Sequence, residues 1–98
     1  MHTIAPSDCF VVGQSVVFRE LSGEAVLLNL ESGVYYGLDA VGTRVWSLLT
    51  ANHPLSKVCS IMLEEFDVAP DVLEHDVMRL VGELCEKGLV APRLAAEA

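Results

Sequence analysis

The hydrophobic positions of the chain change their spacing at residue 39, and this change separates a predicted sheet from a predicted helical half. Residues 15–21 and 24–30 are rich in branched apolar side chains, and Ser22-Gly23 between them is typical of a two-residue hairpin turn. Residues 31–33 end in a glycine suited to a left-handed backbone and lead into a short aromatic strand at residues 34–38. The pattern therefore predicts three consecutive antiparallel strands.

The second half of the chain carries its hydrophobic residues at spacings of three and four, which is typical of amphipathic helices. Asp39 offers a side-chain oxygen to the start of the first helix, which ends before Pro54. A second helix is predicted over residues 55–66, and a third begins at Pro70 and is terminated by Gly88. The apolar stripe of the third helix consists of Leu73, Val77, Leu80, Val81 and Leu84.

Three strands followed by three helices, with Trp46 of the first helix in a shared core, predict an α+β, winged-helix-like domain. A chain of 98 residues is long enough for one domain with a modest core. We expect residues 1–13 to form a flexible N-terminal arm that can add a few residues to a sheet edge. Residues 14–91 are expected to form the domain, and residues 92–98 a frayed C-terminal tail.

The charge of the chain argues against nucleic acid as a partner. The chain has six Lys and Arg residues and fourteen Asp and Glu residues, and the resulting net charge of −8 repels phosphate groups. A winged-helix DNA-binding regulator is the alternative that the fold class suggests. In the predicted third helix, however, acidic residues outnumber the two basic ones, Arg79 and Lys87.

Neither secretion nor membrane insertion is indicated. The N-terminus lacks the basic start and long apolar core of a signal peptide, and no apolar run approaches the roughly 20 residues that span a bilayer. Three widely spaced cysteines fit reduced thiols better than a disulfide framework. We therefore expect a cytoplasmic protein without a membrane partner.

Catalytic chemistry finds little support among the residues. Cys59 has no histidine at helical spacing, and His75 lies ten residues before Cys85. The other histidines, His2 and His53, are equally dispersed, and the carboxylates show no paired arrangement. We predict no catalytic residue, no metal site and no cofactor, and hence a protein that is not an enzyme.

One run of residues carries a specific resemblance. The segment LLNLESGVYYGLDAVGTRVW at residues 27–46, with the Val41-Gly42 pair and Trp46, and the later Lys87-Gly88-Leu89-Val90, resembles the PqqD-like family. Its members are RiPP recognition elements, which bind the leaders of ribosomally made and later modified peptides. The similarity covers roughly residues 16–90, and the stand-alone leader-binding proteins of lasso-peptide pathways are the nearest in kind.

The resemblance implies a non-catalytic adaptor that binds a precursor leader peptide by strand addition, between its third strand and third helix. It also implies an enzyme partner: a leader peptidase of the cysteine-protease type in lasso-peptide pathways, or a radical-SAM enzyme in pyrroloquinoline-quinone synthesis. The peptide-binding residues that it implies are Val34, Tyr35, Tyr36, Gly37, Leu38, Val72, His75, Asp76 and Arg79.

Alternatives remain for these residues at the level of sequence. Tyr35 and Tyr36 also fit ordinary sheet positions, one buried and one solvated, and the third-helix residues fit a solvated helix face. As a lone cation, Arg79 could receive a leader carboxylate. Tyr36→Pro is expected to abolish leader binding by removing a ladder donor, at an edge residue whose loss the fold survives. A monomer is expected, and the alternative is a dimer formed through the same strand edge.

Overall fold

The computed structural model describes residues 4–93 and contains five strands and three helices within them. In chain order these are β1 (Cys9–Val12), β2 (Val16–Leu21), β3 (Glu24–Asn29), β4 (Tyr35–Gly37), α1 (Ala40–Thr50), α2 (Leu55–Glu65), α3 (Pro70–Glu86) and β5 (Val90–Arg93). The predicted α+β class, with three antiparallel strands followed by three helices, is confirmed.

A three-stranded antiparallel sheet with the order β2-β3-β4 is built by two tight connections. Ser22 and Gly23 both have positive φ, at 55° and 81°, which is the backbone of the hairpin turn that matches strand twist. The second connection is longer than predicted, because the Asn29 side chain accepts hydrogen bonds from the N–H groups of Glu31 and Ser32. The Val34 N–H donates to the Ser32 hydroxyl at 3.2 Å instead of to β3, and β4 begins one residue later than predicted, at Tyr35.

A second sheet joins the two ends of the described chain and was not predicted. β1 pairs antiparallel with β5, so Cys9 lies opposite Arg93 and Val12 lies opposite Val90. A Cβ atom on Gly13 would lie 2.6 Å from the Gly88 carbonyl oxygen, so the chain leaves β1 through a contact that only glycine permits. Residues 9–12 of the expected arm and residues 92–93 of the expected tail therefore lie in paired strands. Residues 1–3 and 94–98 lie outside the described residues.

The core forms where the inner face of the sheet meets the three helices. Trp46 is 2% exposed, as predicted, and it packs edge-to-face against the Phe18 ring of β2 with 5.2 Å between the ring centroids. Leu27, at the centre of β3, is fully buried. The predicted α3 stripe is buried except for Leu80, which is half-buried at the margin. Between residues 4 and 93, no helix is long and apolar enough to cross a membrane.

The start of α1 is fixed beside β4 by local contacts. The carboxylate of Asp39 accepts a hydrogen bond of 2.8 Å from the Gly42 N–H, which confirms the predicted cap. A Cβ atom on Gly42 would lie 3.2 Å from Leu38 Cδ2, so glycine allows α1 to approach the end of β4 closely. By contrast, Ala69 before α3 makes no side-chain cap bond. The start of α1 is therefore fixed by a side-chain cap, whereas the start of α3 is not.

Candidate functional site

A groove of about 390 Å³ runs between β4, the first turns of α1 and the N-terminal half of α3. Its floor and walls are mostly apolar, with two charged side chains on the α3 rim. The lining residues are Tyr36, Gly37, Leu38, Asp39, Val41, Gly42, Val45, Val68, Val72, Leu73, Asp76, Val77, Arg79 and Leu80.

The free edge of β4 borders this groove, and the strand register shows which backbone groups it offers. The Asn29 N–H donates to the Val34 carbonyl at 2.9 Å, and the Leu38 N–H donates to the Ala25 carbonyl at 2.8 Å. Hydrogen-bonded pairs alternate along an antiparallel ladder, so Tyr36 bonds inward to β3. The N–H and C=O groups of Tyr35 and Gly37 therefore point outward, toward the free edge.

This alternation corrects the expectation for Tyr36→Pro. The N–H group of Tyr36 belongs to the ladder with Leu27 and is not an edge donor. A proline there would break the pairing of β3 with β4 and damage the sheet itself. Gly37 is the edge residue at which proline removes only an outward donor. Within residues 4–93, an added Cβ on Gly37 meets nothing within 4 Å.

The two tyrosines of β4 lie on opposite faces of the sheet. Tyr35 is 72% exposed on the outer face, whereas Tyr36 is half-buried opposite Leu27. The Tyr36 hydroxyl donates a hydrogen bond of 2.6 Å to Glu83 Oε2 on α3, and the Lys87 ammonium lies 5.7 Å from its ring centroid. Together with burial, the hydrogen bond to Glu83 raises the pKa of Tyr36. Tyr36 thus fastens β4 to α3 at one end of the groove.

Thr43 on α1 supports β4 in a way that its sequence position does not reveal. Its buried hydroxyl accepts a hydrogen bond of 2.8 Å from the Ala25 N–H and lies 3.4 Å from the Leu38 carbonyl, to which it donates. The hydroxyl therefore bridges the Ala25 N–H and the Leu38 carbonyl at the end of the ladder between β3 and β4. This contact fixes the height of β4 relative to α1.

The α3 wall of the groove combines an apolar end with a charged rim. Val72 is 53% exposed, and it lines the groove with Val41 and Val68, which are also partly exposed. Farther along, the Arg79 guanidinium lies 3.9 Å from Glu83 Oε1, a loose contact of an exposed side chain. Arg79 therefore keeps much of its hydrogen-bonding capacity for another carboxylate.

The structure brings together most of the residues that the sequence indicated. Those that line the groove are Tyr36, Gly37, Leu38, Val72, Asp76 and Arg79, whereas Val34, Tyr35 and His75 do not. Tyr35 still contributes its backbone to the free edge. Sequence reasoning missed Val41 and Val68 as groove residues. Val41 shares the helical spacing of the buried Val45, which predicts a place on the apolar stripe of α1, but both valines are exposed beside the groove.

The described residues give little support for metal binding or for thiol catalysis at this site. Residues 4–93 contain no group of three or more His, Cys, Asp or Glu side chains arranged to hold a metal ion. Burial raises the pKa of the Cys59 and Cys85 thiols, which disfavours the reactive thiolate. Neither cysteine lines the groove.

Comparison with known proteins gives one family and two similar structures. The family described as coenzyme PQQ synthesis protein D (PqqD) matches residues 24–90. TbiB1 in complex with the TbiA(beta) leader peptide is 34% identical, with a TM-score of 0.78 over 82% of this chain and 93% of that one. A lasso peptide synthetase B1 complexed with the leader peptide is 25% identical, with a TM-score of 0.78 over 85% of this chain and 98% of that one. A search of curated proteins finds no significant match.

Proposed function

Because the chain belongs to the PqqD family, we propose that it is a non-catalytic adaptor that binds the leader of a ribosomally made precursor peptide and presents it to a processing enzyme. Both similar structures hold leader peptides, and both match nearly the whole length of the relative. The observation that carries the proposal in this chain is the free β4 edge beside a largely apolar groove.

In this proposal the leader adds a fourth strand to the sheet. Its backbone bonds to the outward N–H and C=O groups of Tyr35 and Gly37. Side chains alternate along an extended peptide, so every second leader residue points toward the groove and α3. The backbone bonds supply sequence-independent affinity, and the groove supplies selection among leaders.

The groove favours a leader with apolar side chains at these alternate positions. Val41, Val68 and Val72 offer one exposed apolar end, and burying it against a leader side chain is favourable by about 25 cal/mol per Å² of apolar area. Arg79 then suits a leader carboxylate near the charged rim. Ordering the leader costs about 2–5 kcal/mol of the gross interaction.

We further propose that the enzyme partner is a leader peptidase of the lasso-peptide type, with the pyrroloquinoline-quinone type of tailoring enzyme as the second possibility. The two similar structures support the lasso-peptide type, since one is a lasso peptide synthetase B1 and both are complexes with leader peptides. The family description supports the second. Pull-down by the leader-loaded protein of a leader peptidase of the lasso type, compared with pull-down of a radical-SAM enzyme of the pyrroloquinoline-quinone type, separates the two.

The DNA-binding alternative is not favoured. The exposed face of α3 carries Glu74 and Asp76, and the whole chain has a net charge of −8. Acidic side chains on this helix and the negative charge of the whole chain both repel the phosphate groups of DNA.

An amide-shift titration tests the proposed function. The ¹⁵N-labelled protein is titrated with a synthetic leader from the precursor encoded beside its gene, and separately with duplex DNA. We expect leader-induced shifts at Tyr35 and Gly37 and along the α3 residues that line the groove. Shifts in α3 with DNA and none with the leader would contradict the adaptor function.

A further inference from the structure

The second free edge of the sheet, along β2, also has unpaired backbone groups. The Leu30 N–H donates to the Ser15 carbonyl at 2.7 Å, which makes residues 15 and 30 a hydrogen-bonded pair. By alternation, Val17 and Arg19 bond inward to β3, whereas the backbone groups of Phe18 and Glu20 point outward. In the described part of the chain no further strand borders β2.

Exposed apolar side chains flank this edge on both faces of the sheet. Phe18 on the inner face is 51% exposed although it touches Trp46, and on the outer face Val17 and Leu21 are 49% and 59% exposed. β2 contains no proline and no residue with positive φ. Two of the usual devices that protect an edge strand from pairing, proline and a backbone kink, are therefore absent here.

We propose that a second copy of this chain pairs with this edge, antiparallel, about a two-fold axis that passes between the two Phe18 residues. The outward backbone groups match only another extended backbone, which requires a strand as the occupant. In an antiparallel pair outward groups must face outward groups, so the two-fold axis must pass through a position at which one residue of β2 faces its own copy. The sequence of β2 then decides among the registers.

The register centred on Phe18 places no like charges opposite each other. It pairs the two Phe18 rings, sets Val17 against Arg19 of the second copy, and sets Val16 against Glu20. Moving the axis to Arg19 or to Glu20 places two guanidinium groups or two carboxylates directly opposite, which is destabilising. Moving it to Val17 pairs Val16 with Phe18 of the second copy and loses hydrogen bonds, because the Val16 N–H already donates to the Gly13 carbonyl. An aromatic pair at the centre is, in contrast, a favourable cross-strand contact.

The pairing is short, so the association is weak and depends on concentration. The Val16 N–H already donates to the Gly13 carbonyl at 3.1 Å, which ends the free edge on that side. The central Phe18 pair exchanges two hydrogen bonds, and the Val16 carbonyl of each copy can accept one more from the Glu20 N–H of the other, which makes about four in all. The net charge of −8 on each copy adds a repulsion that salt screens.

The resulting dimer leaves both β4 edges free. Two sheets of the order β2-β3-β4 would join through β2 into one continuous sheet with a leader groove at each end. Self-association and leader binding would then use opposite edges and proceed independently. This places the alternative dimer edge at β2 and not at β4.

Sedimentation equilibrium at concentrations up to about 1 mM tests the proposal through residue 18. Phe18→Lys and Phe18→Glu each put two like charges at the axis, and we expect each variant alone to associate at least about tenfold more weakly than the native chain. An equimolar mixture of the two should associate again, because the axis then joins opposite charges. Leu30→Lys is the matched control, since it changes the charge of an exposed apolar residue off this edge.

Two readouts keep the result decisive if a variant is less stable. The thermal midpoint of each Phe18 variant reports folding, and its leader affinity should equal that of the native chain. A native chain that stays monomeric throughout the range, or a mixture that fails to associate while both folded variants bind leader, overturns the proposal. Dissociation of the native dimer by leader peptide would also overturn it, because association would then use the β4 edge.

Discussion

The two edges of the central sheet differ in length and in what lies beside them. β4 spans three residues and faces a groove walled by α1 and α3, whereas β2 spans six residues and borders no described strand on its outer side. Both edges present outward backbone groups, so unpaired N–H and C=O groups do not by themselves define a peptide site. The helix wall beside β4 adds pockets that distinguish one peptide side chain from another. The longer edge has only its own sequence to select a partner.

The largest effect on leader affinity is expected from proline at the outward position of β4. Gly37→Pro removes the edge donor and leaves a leader carbonyl unsatisfied, which costs about 1–3 kcal/mol, or about fivefold to 150-fold in Kd. Gly37→Ala is the matched control, since an added Cβ meets nothing within 4 Å. Isothermal titration calorimetry measures both.

Glu20→Pro makes the corresponding change at the other edge. Its N–H also points outward, so the sheet loses no internal ladder bond. We expect leader affinity to stay at the native value. An equal loss of leader affinity in Glu20→Pro and Gly37→Pro would show that the two edges do not have separate roles.

A somewhat smaller free-energy change, in this case in the stability of the fold, is expected where Thr43 holds β4 against α1. Thr43→Val removes the hydroxyl that accepts from the Ala25 N–H and leaves that buried donor unpaired, so the free energy of unfolding should fall by about 1–2 kcal/mol. Thr43→Ser retains the hydroxyl and should recover much of the loss. Urea unfolding at constant pH provides the comparison, and equal stability of the valine and native proteins would remove this role.

The hydrogen bond from Tyr36 on β4 to Glu83 on α3 makes a smaller contribution to the free energy of unfolding, and this contribution depends on pH. Tyr36→Phe should lower the free energy of unfolding by about 1 kcal/mol. The pKa of Tyr36 is raised above its ordinary value of 10.0, chiefly by the hydrogen bond to Glu83. The native advantage over Tyr36→Phe is therefore fully present below pH 10 and is lost as the pH rises through the folded-state pKa. Paired unfolding curves from neutral to alkaline pH measure this, and a constant difference would contradict it.

The smallest effect is expected at the charged rim. Arg79→Gln should weaken leader binding by about 0.5 kcal/mol, and the loss should shrink as salt is added, because the side chain is exposed. Arg44→Gln changes the net charge equally but lies in an ion pair with Glu65 away from the groove, so it is the control. Equal effects of the two variants would mean that only net charge matters.

Local patterns in the sequence were sufficient for the elements and for much of the groove. The change of hydrophobic spacing at Asp39, the Ser22-Gly23 turn and the buried position of Trp46 all follow from interactions within a few residues or from a simple apolar stripe. Six of the nine residues that the resemblance implied line the groove. The assignment of those residues to leader contacts stays a prediction until a leader is titrated.

The sequence by itself determined that this chain forms a small antiparallel sheet followed by three helices, because period, turn residues and caps act locally. Only the tertiary structure decided which backbone groups face a free edge, because that depends on register parity between strands. It also decided the Tyr36–Glu83 bond, the Thr43 bridge and the β1–β5 pairing. Each of these joins residues far apart in the chain, where no local pattern specifies the partner.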